Sequence, residues 1–209
     1  MNILVISDQK AKALYEYFNR ERLEGIDLIL SAGDLPPQYL SFLTTMAGRD
    51  VIYVHGNHDD CYVETPPEGC ICADDKIINY KGLRILGLGG SQRYKIGKFM
   101  YTEKEMRKRV KRLKFQLWRN KGFDILLTHA PILNFNDGKD FPHRGYGIFG
   151  ELLKDFKPLY MIHGHMHKSY GRGYVKESRY EDTQVINGCG SYVLEIPDEL
   201  IKERRRSSH

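Results

Sequence analysis

Apolar and polar positions along the chain follow two rhythms. Residues 2–7 form a continuous apolar run of the kind a strand shows when both faces of its sheet are covered. Residues 11–20 place Leu14, Tyr15 and Phe18 at helical spacing, which predicts a helix. Residues 26–30 read as a second buried strand, with an exit loop from Ser31 to Leu35. Pro36 and Pro37 suit a helix start, residues 39–46 a short helix, and residues 51–54 a third strand that opens onto Gly56, Asn57, His58 and Asp59. Residues 60–75 hold two prolines and no sustained period, so an irregular loop is expected. Residues 77–80 and 83–88 flank Lys81 and Gly82 as a hairpin. From 102 to 121 the period is helical, with Met106, Val110, Leu113 and Leu117 on one face, and residues 123–127 return to a buried strand ending at Thr128 and His129. A helix over 147–155, a strand over 159–162 and two last strands over about 173–178 and 184–196 complete the prediction.

Strands alternating with helices, then short strands late in the chain, argue for an α/β layered fold with sheets packed at its centre. One domain over residues 1–200 is expected, with residues 201–209 a basic, frayed tail. Length and composition agree: 209 residues, 41% hydrophobic and 28% charged, can bury one substantial core. No apolar run approaches the ~18 residues of a spanning helix, and Met1 leads straight into the first strand. The expectation is therefore a cytoplasmic protein with no membrane partner and with its four cysteines reduced. Cys70 and Cys72, one residue apart, match neither a zinc knuckle nor a redox pair and read as small structural residues.

The candidate chemistry lies at the strand ends. Asp8, Asp34, Asn57 with His58, His129, and His165 with His167 each follow a predicted strand. Parallel strands point their carboxyl ends at one crevice, so these positions are expected to converge. Carboxylate, amide oxygen and imidazole together suit manganese, iron, cobalt or zinc better than calcium. Glycines at 33, 56 and 164 let backbone approach closely, and the set implies metal-assisted hydrolysis of a phosphate ester.

Gly33-Asp34, Gly56-Asn57-His58-Asp59, Thr128-His129 and Gly164-His165-Met166-His167 resemble four of the five sequence blocks of the calcineurin-like metallophosphoesterases. The resemblance runs from Ile3 to about Ile196 and implies a two-sheet β-sandwich flanked by helices, the calcineurin-like phosphoesterase fold. It also implies one or two divalent ions and attack on a phosphomonoester or phosphodiester by a metal-held hydroxide. By position, Asp34, Asn57, His129 and His165 would bind the second metal, and Asp8, Asp34 and His167 the first. The family's first block is Asp-x-His, whereas this chain reads Asp8-Gln9-Lys10, and a lysine ammonium has no lone pair to coordinate with. Three outcomes stay open: a first metal held by three protein ligands and water, a lone metal with Lys10 supplying part of the lost charge, or a dead site. His58 matches the family's residue just outside the metals and is assigned as general acid, with Asp59 fixing its tautomer. Asn57, Lys10 and Arg144 are the candidates for contact with substrate, the arginine by a two-pronged grip on phosphate.

The net charge of +5 gathers partly in one place. Nine basic residues lie between Lys104 and Lys121 on a helix whose other face is apolar. A solvated face is the ordinary reading, and a nucleic-acid contact is the sharper one. The leading function is a metallophosphoesterase; the alternative is a catalytically inactive binding or scaffold module that keeps the fold.

Overall fold

In the computed structural model, which describes residues 1–167 and 174–206, the strands gather into two main sheets. The first sheet contains β1 (Asn2–Ser7), β2 (Leu28–Ser31), β3 (Val51–Tyr53), β4 (Ile71–Cys72) and β13 (Gly190–Glu195), in the order β13-β1-β2-β3-β4. The second contains β5 (Lys76–Tyr80), β6 (Leu83–Leu88), β9 (Ile125–Thr128), β10 (Tyr160–His163), β11 (Glu177–Tyr180) and β12 (Thr183–Asn187), in the order β11-β12-β10-β9-β6-β5. A short ribbon of β7 (Ser91–Gln92) and β8 (Met100–Tyr101) stands beside them. The central strands β1, β2 and β3, and likewise β6, β9, β10 and β12, run parallel, so each sheet sends its strand carboxyl ends one way.

Alternation along the strands builds the layers. Ile3, Val5, Leu28 and Leu30 of the first sheet meet Ile85, Ile125, Leu127 and Ile162 of the second in a central core. The opposite faces are covered in turn. Leu4, Ile6 and Ile29 pack under α1 (Pro37–Ala47) through Tyr39, Leu40 and Leu43. Leu86, Leu126 and Met161 pack under α2 (Glu103–Arg112), α3 (Lys114–Arg119) and α4 (Gly147–Phe156). The result is the expected α/β sandwich flanked by helices. Local signals set the helix ends: Pro36 and Pro37 open α1, Gly48 closes it at φ 59°, and Thr102 and Glu105 form a capping box on α2.

Several elements differ from the sequence prediction. Residues 11–20 form no α-helix; Leu14 and Leu23 are buried on two 3-10 turns, Lys12–Leu14 and Arg20–Leu23, the second capped by the Asn19 side chain. The aromatic residues that gave the helical period pack edge-on instead, Tyr15 against Tyr39 and Phe42, and Phe18 against Phe42. The helix over 102–121 breaks at Leu113, which closes α2 and opens α3. Residues 60–75 are not wholly irregular, since β4 adds an edge strand. The single strand over 184–196 is two, with Gly190 at φ 79° letting the chain cross from the second sheet to pair with β1. Residue 173, the start of another predicted strand, lies outside the described residues, as does the tail end 207–209. The tail is otherwise helical: α5 (Asp198–Arg206) returns Ile201 to the core and places Asp198 3.3 Å from the amino group of Met1. No helix among the described residues is long and apolar enough to cross a membrane.

Arg84 is bound into the frame. Arg84 meets the buried Asp124 through Nε at 2.9 Å and Nη2 at 2.6 Å, and also donates to the carbonyls of Asn120 and Lys121 at the end of α3. The Asp124 carboxylate further accepts from the Arg84 backbone N–H at 2.9 Å. Removing one partner of such a pair leaves a buried charge uncompensated. Asp124→Ala should lower the unfolding free energy by roughly 3–5 kcal/mol, read from the urea midpoint at unchanged slope. A loss below about 1 kcal/mol would mean the pair is solvated in solution.

Candidate metal centre

Five strand ends meet in one place, and the backbone bends sharply at three of them. Asp8, Asp34 and His165 sit in the left-handed region, at φ 63°, 57° and 66°. Such conformations are sparsely populated outside glycine, and they aim these side chains back across the strand ends. Close backbone approach requires glycine beside them. A Cβ on Gly56 would collide with the Asp34 carboxylate, and one on Gly164 with the Ser7 hydroxyl.

The geometry around His129 tests whether these residues fit a metal. His129 is fully buried, and its Nδ1 lies 2.7 Å from the Ala32 carbonyl oxygen. A carbonyl only accepts, so this nitrogen carries the proton and a neutral ring turns the Nε2 lone pair inward. In the same way, His165 Nε2 lies 2.9 Å from the Pro142 carbonyl, which turns the lone pair of Nδ1 inward. The two inward nitrogens are 3.1 Å apart. His129 Nε2 is also 3.1 Å from Asn57 Oδ1 and 3.3 Å from Asp34 Oδ2. Four acceptors facing one another repel unless a cation sits among them. Imidazole, amide oxygen and carboxylate at this spacing fit a borderline divalent ion.

The electrostatics carry the same demand. Burial opposes charge at Asp34, but the His129 ring outweighs it and holds the carboxyl well below its usual range. Burial likewise opposes a cation at His129, yet Asp34 raises it to about 10. His165 is pushed down to about 3 by burial and then by His129. One positive charge is thus stabilised between the carboxylates and a second imidazolium is refused, which fits a site for a single cation at this point.

The adjoining half of the site is built on Asp8. Its fully buried carboxylate accepts from the Ser7 hydroxyl at 2.5 Å and from the His165 backbone N–H at 3.0 and 3.1 Å, and lies 3.2 Å from His167 Nε2. Burial raises the Asp8 carboxyl, but His167, His129 and Ser7 together leave it lowered. Contact with Asp8 raises His167 despite partial burial.

A cavity of about 450 Å³ opens over both halves, lined by Asp8, Asp34, Asn57, His58, His165 and His167, together with Tyr94, Pro142 and His143. Two sequence-predicted substrate residues are not among its lining. The Lys10 ammonium lies 5.0 Å above the Tyr15 ring, because the turn at Asp8 leads the following residues out to solvent. Arg144 is exposed, and the short turn Phe141–His143 presents Pro142 and His143 to the cavity in its place. The pairing of Asp59 with His58 is also absent among the described residues. One Asp59 oxygen accepts from the backbone N–H groups of Gly56 at 2.7 Å and Asp34 at 2.9 Å, while the His58 N–H donates to Asp34 Oδ1 at 2.8 Å. Asp59 therefore fastens two loops rather than orienting an imidazole, and burial, followed by the charge of Asp34, raises it to about 6.

Sequence reasoning missed Tyr94, whose hydroxyl lies 3.4 Å from Asn57 Nδ2, since its loop has no periodic pattern. It also favoured Arg144 over the adjacent His143, whose Nδ1 is 2.5 Å from Asp140 and whose ring leans on His165.

Comparison with known proteins bears on the family and the fold. A model of the calcineurin-like phosphoesterases matches residues 1–169, and the chain belongs to that family, whose members bind divalent metals and hydrolyse phosphate esters. One solved chain, 15% identical, superposes with a TM-score of 0.65 over 92% of this chain and 94% of its own length. TT1561 of Thermus thermophilus, 20% identical, does so with a TM-score of 0.62 over 90% and 89%. A Vps29 single mutant from Entamoeba histolytica, 17% identical, reaches 0.48 over 95% and 87%. Among curated proteins none matches the sequence.

The position of Asp59 yields a test. Asp59→Ala would strip two backbone donors of their acceptor and loosen Asp34, so metal affinity measured by chelator competition should fall roughly 10–100-fold. Unchanged metal affinity with a lost rate would instead return Asp59 to the service of His58.

Proposed function

We propose that this chain hydrolyses a phosphate ester, with Asp34, Asn57, His129 and His165 holding one divalent ion and Asp8, Asp34 and His167 offering a second, three-ligand place. The observation that carries the proposal is the convergence of inward lone pairs from His129, His165, Asn57 and Asp34 on one point. Such an ion supplies Lewis acidity that activates water near neutral pH and offsets charge on the phosphoryl oxygens.

The chain's own residues account for the rest. Both Asp34 oxygens are engaged, one by the His58 N–H and one toward His129, which holds the carboxylate between the two halves. His58 lines the cavity with its side chain exposed, where it reaches the leaving oxygen as general acid. Asn57, anchored toward Tyr94, lies against the phosphate at the same wall. The cavity is lined by carboxylate, amide, phenol and imidazole groups, which suits a phosphoryl group.

The second reading, a module that binds without catalysis, draws on Lys10, which replaces a ligand and whose ammonium lies over Tyr15. One experiment separates the two: metal-stripped protein is given manganese, bound metal is counted, and hydrolysis of bis-p-nitrophenyl phosphate and p-nitrophenyl phosphate is followed. Turnover that disappears in Asn57→Ala supports the enzyme, and no turnover by folded, metal-loaded protein supports the module. His58→Ala should lower the rate by roughly 10²-fold or more while sparing metal content; a wild-type rate in this variant would remove the general-acid assignment.

A further inference from the structure

The basic segment between residues 104 and 121 is not one uniform face. Arg109 is 6% exposed, donates to Asp75 at 2.8 Å and to the Gly89 carbonyl at 2.7 Å, and lies over the Tyr101 ring. Arg107 is shared between Glu103 at 2.8 Å and Glu151 at 2.5 Å. Those two cations serve the fold. Lys104, Lys108, Lys111, Arg112, Lys114 and Arg119 are exposed, and no ion pair engages them among the described residues.

Two large rings stand among these cations. Phe115 is 66% and Trp118 76% exposed, with centroids 5.9 Å apart. Lys104, Lys108 and Lys111 are spaced by four and three on the exposed side of α2, and Phe115 and Trp118, three apart on α3, follow directly across the break at Leu113. Beside Trp118 lies a groove of about 890 Å³ whose floor is Leu117, Gly122 and Phe156 and whose rim includes Lys114 and Arg119, with Asp155 also on its lining. Exposed rings cost free energy in water, and a flexible lysine face alone would need none.

We infer that the solvent face of α2 and α3 binds single-stranded nucleic acid, its phosphates on the lysines and its bases stacked on Phe115 and Trp118. Charge complementarity selects a polyanion, and the rings select one that alternates anions with planar groups. A duplex hides its base faces and meets only the cations. An acidic peptide has no ring at each charge. None of these residues lines the metal cavity, so the inference stands apart from the hydrolytic reading.

Trp118 is the sole tryptophan, which makes the test direct. Titration of the full chain with oligo(dT) at low salt should quench its fluorescence. The logarithm of affinity should fall with the logarithm of salt at a slope of about −0.7 for each phosphate bound. Phe115→Ala and Trp118→Ala, followed by anisotropy of labelled oligo(dT), should each weaken binding roughly fivefold or more. Both variants should hydrolyse small phosphoesters as wild type does. Absence of quenching and of anisotropy change at low salt would overturn the inference. So would undiminished binding in both variants, or equal affinity for a duplex or for polyglutamate, the last pointing to an acidic protein partner.

Discussion

The contact between His129 Nδ1 and the Ala32 carbonyl is the interaction on which the site depends. His129 follows β9 of one sheet and Ala32 follows β2 of the other, so this buried 2.7 Å contact joins the sheets at the end where the strands stop. It also decides the chemistry, because fixing the proton on Nδ1 leaves Nε2 as the inward lone pair. The Asp8 carboxylate makes the second crossing, from β1 to the His165 backbone N–H beyond β10. Each sheet contributes half of the ligands: Asp8, Asp34 and Asn57 follow strands of the first, and His129, His165 and His167 follow strands of the second.

That division explains why the core and the site are one problem. Side chains alternate between a central core and two outer cores, and a one-residue slip in any strand would turn the residue after it away from the crevice. Backbone in the left-handed region at Asp8, Asp34 and His165 then performs the final aiming. Conformations of this kind persist only where neighbours over-determine them, and here Asp59, Ser7 and the Gly33 carbonyl do so by binding the loops to one another.

Legibility from sequence followed the range of the interactions involved. Buried strands were readable because a covered sheet needs continuous apolar runs, and the ligands were readable because each stands directly after such a run. The turn residues 11–20 misled because Tyr15 and Phe18 have helical spacing but spend it on edge contacts with α1. Asp59 misled because its neighbour in sequence is His58 while its partners in space are two backbone N–H groups. Asp124, Arg109 and Tyr94 gave no local signal at all; each acts through a residue distant in the chain, Arg84, Asp75 and Asn57 respectively.

The departure at Lys10 has a limited electrostatic reach. Its ammonium lies over Tyr15 on an exposed residue, where water screens it from the ligand cluster. Lys10 therefore offers no lone pair and places no cation among the candidate ligands. What remains of that half is Asp8, with the shared Asp34 and His167, and the Asp8 oxygens already accept from Ser7 and from the His165 N–H. In the other half, among the described residues, the inward atoms of Asn57, His129 and His165 face one another and Asp34. The asymmetry lies in competition for lone pairs more than in ligand number, and it makes the His129 half the one that organises the centre.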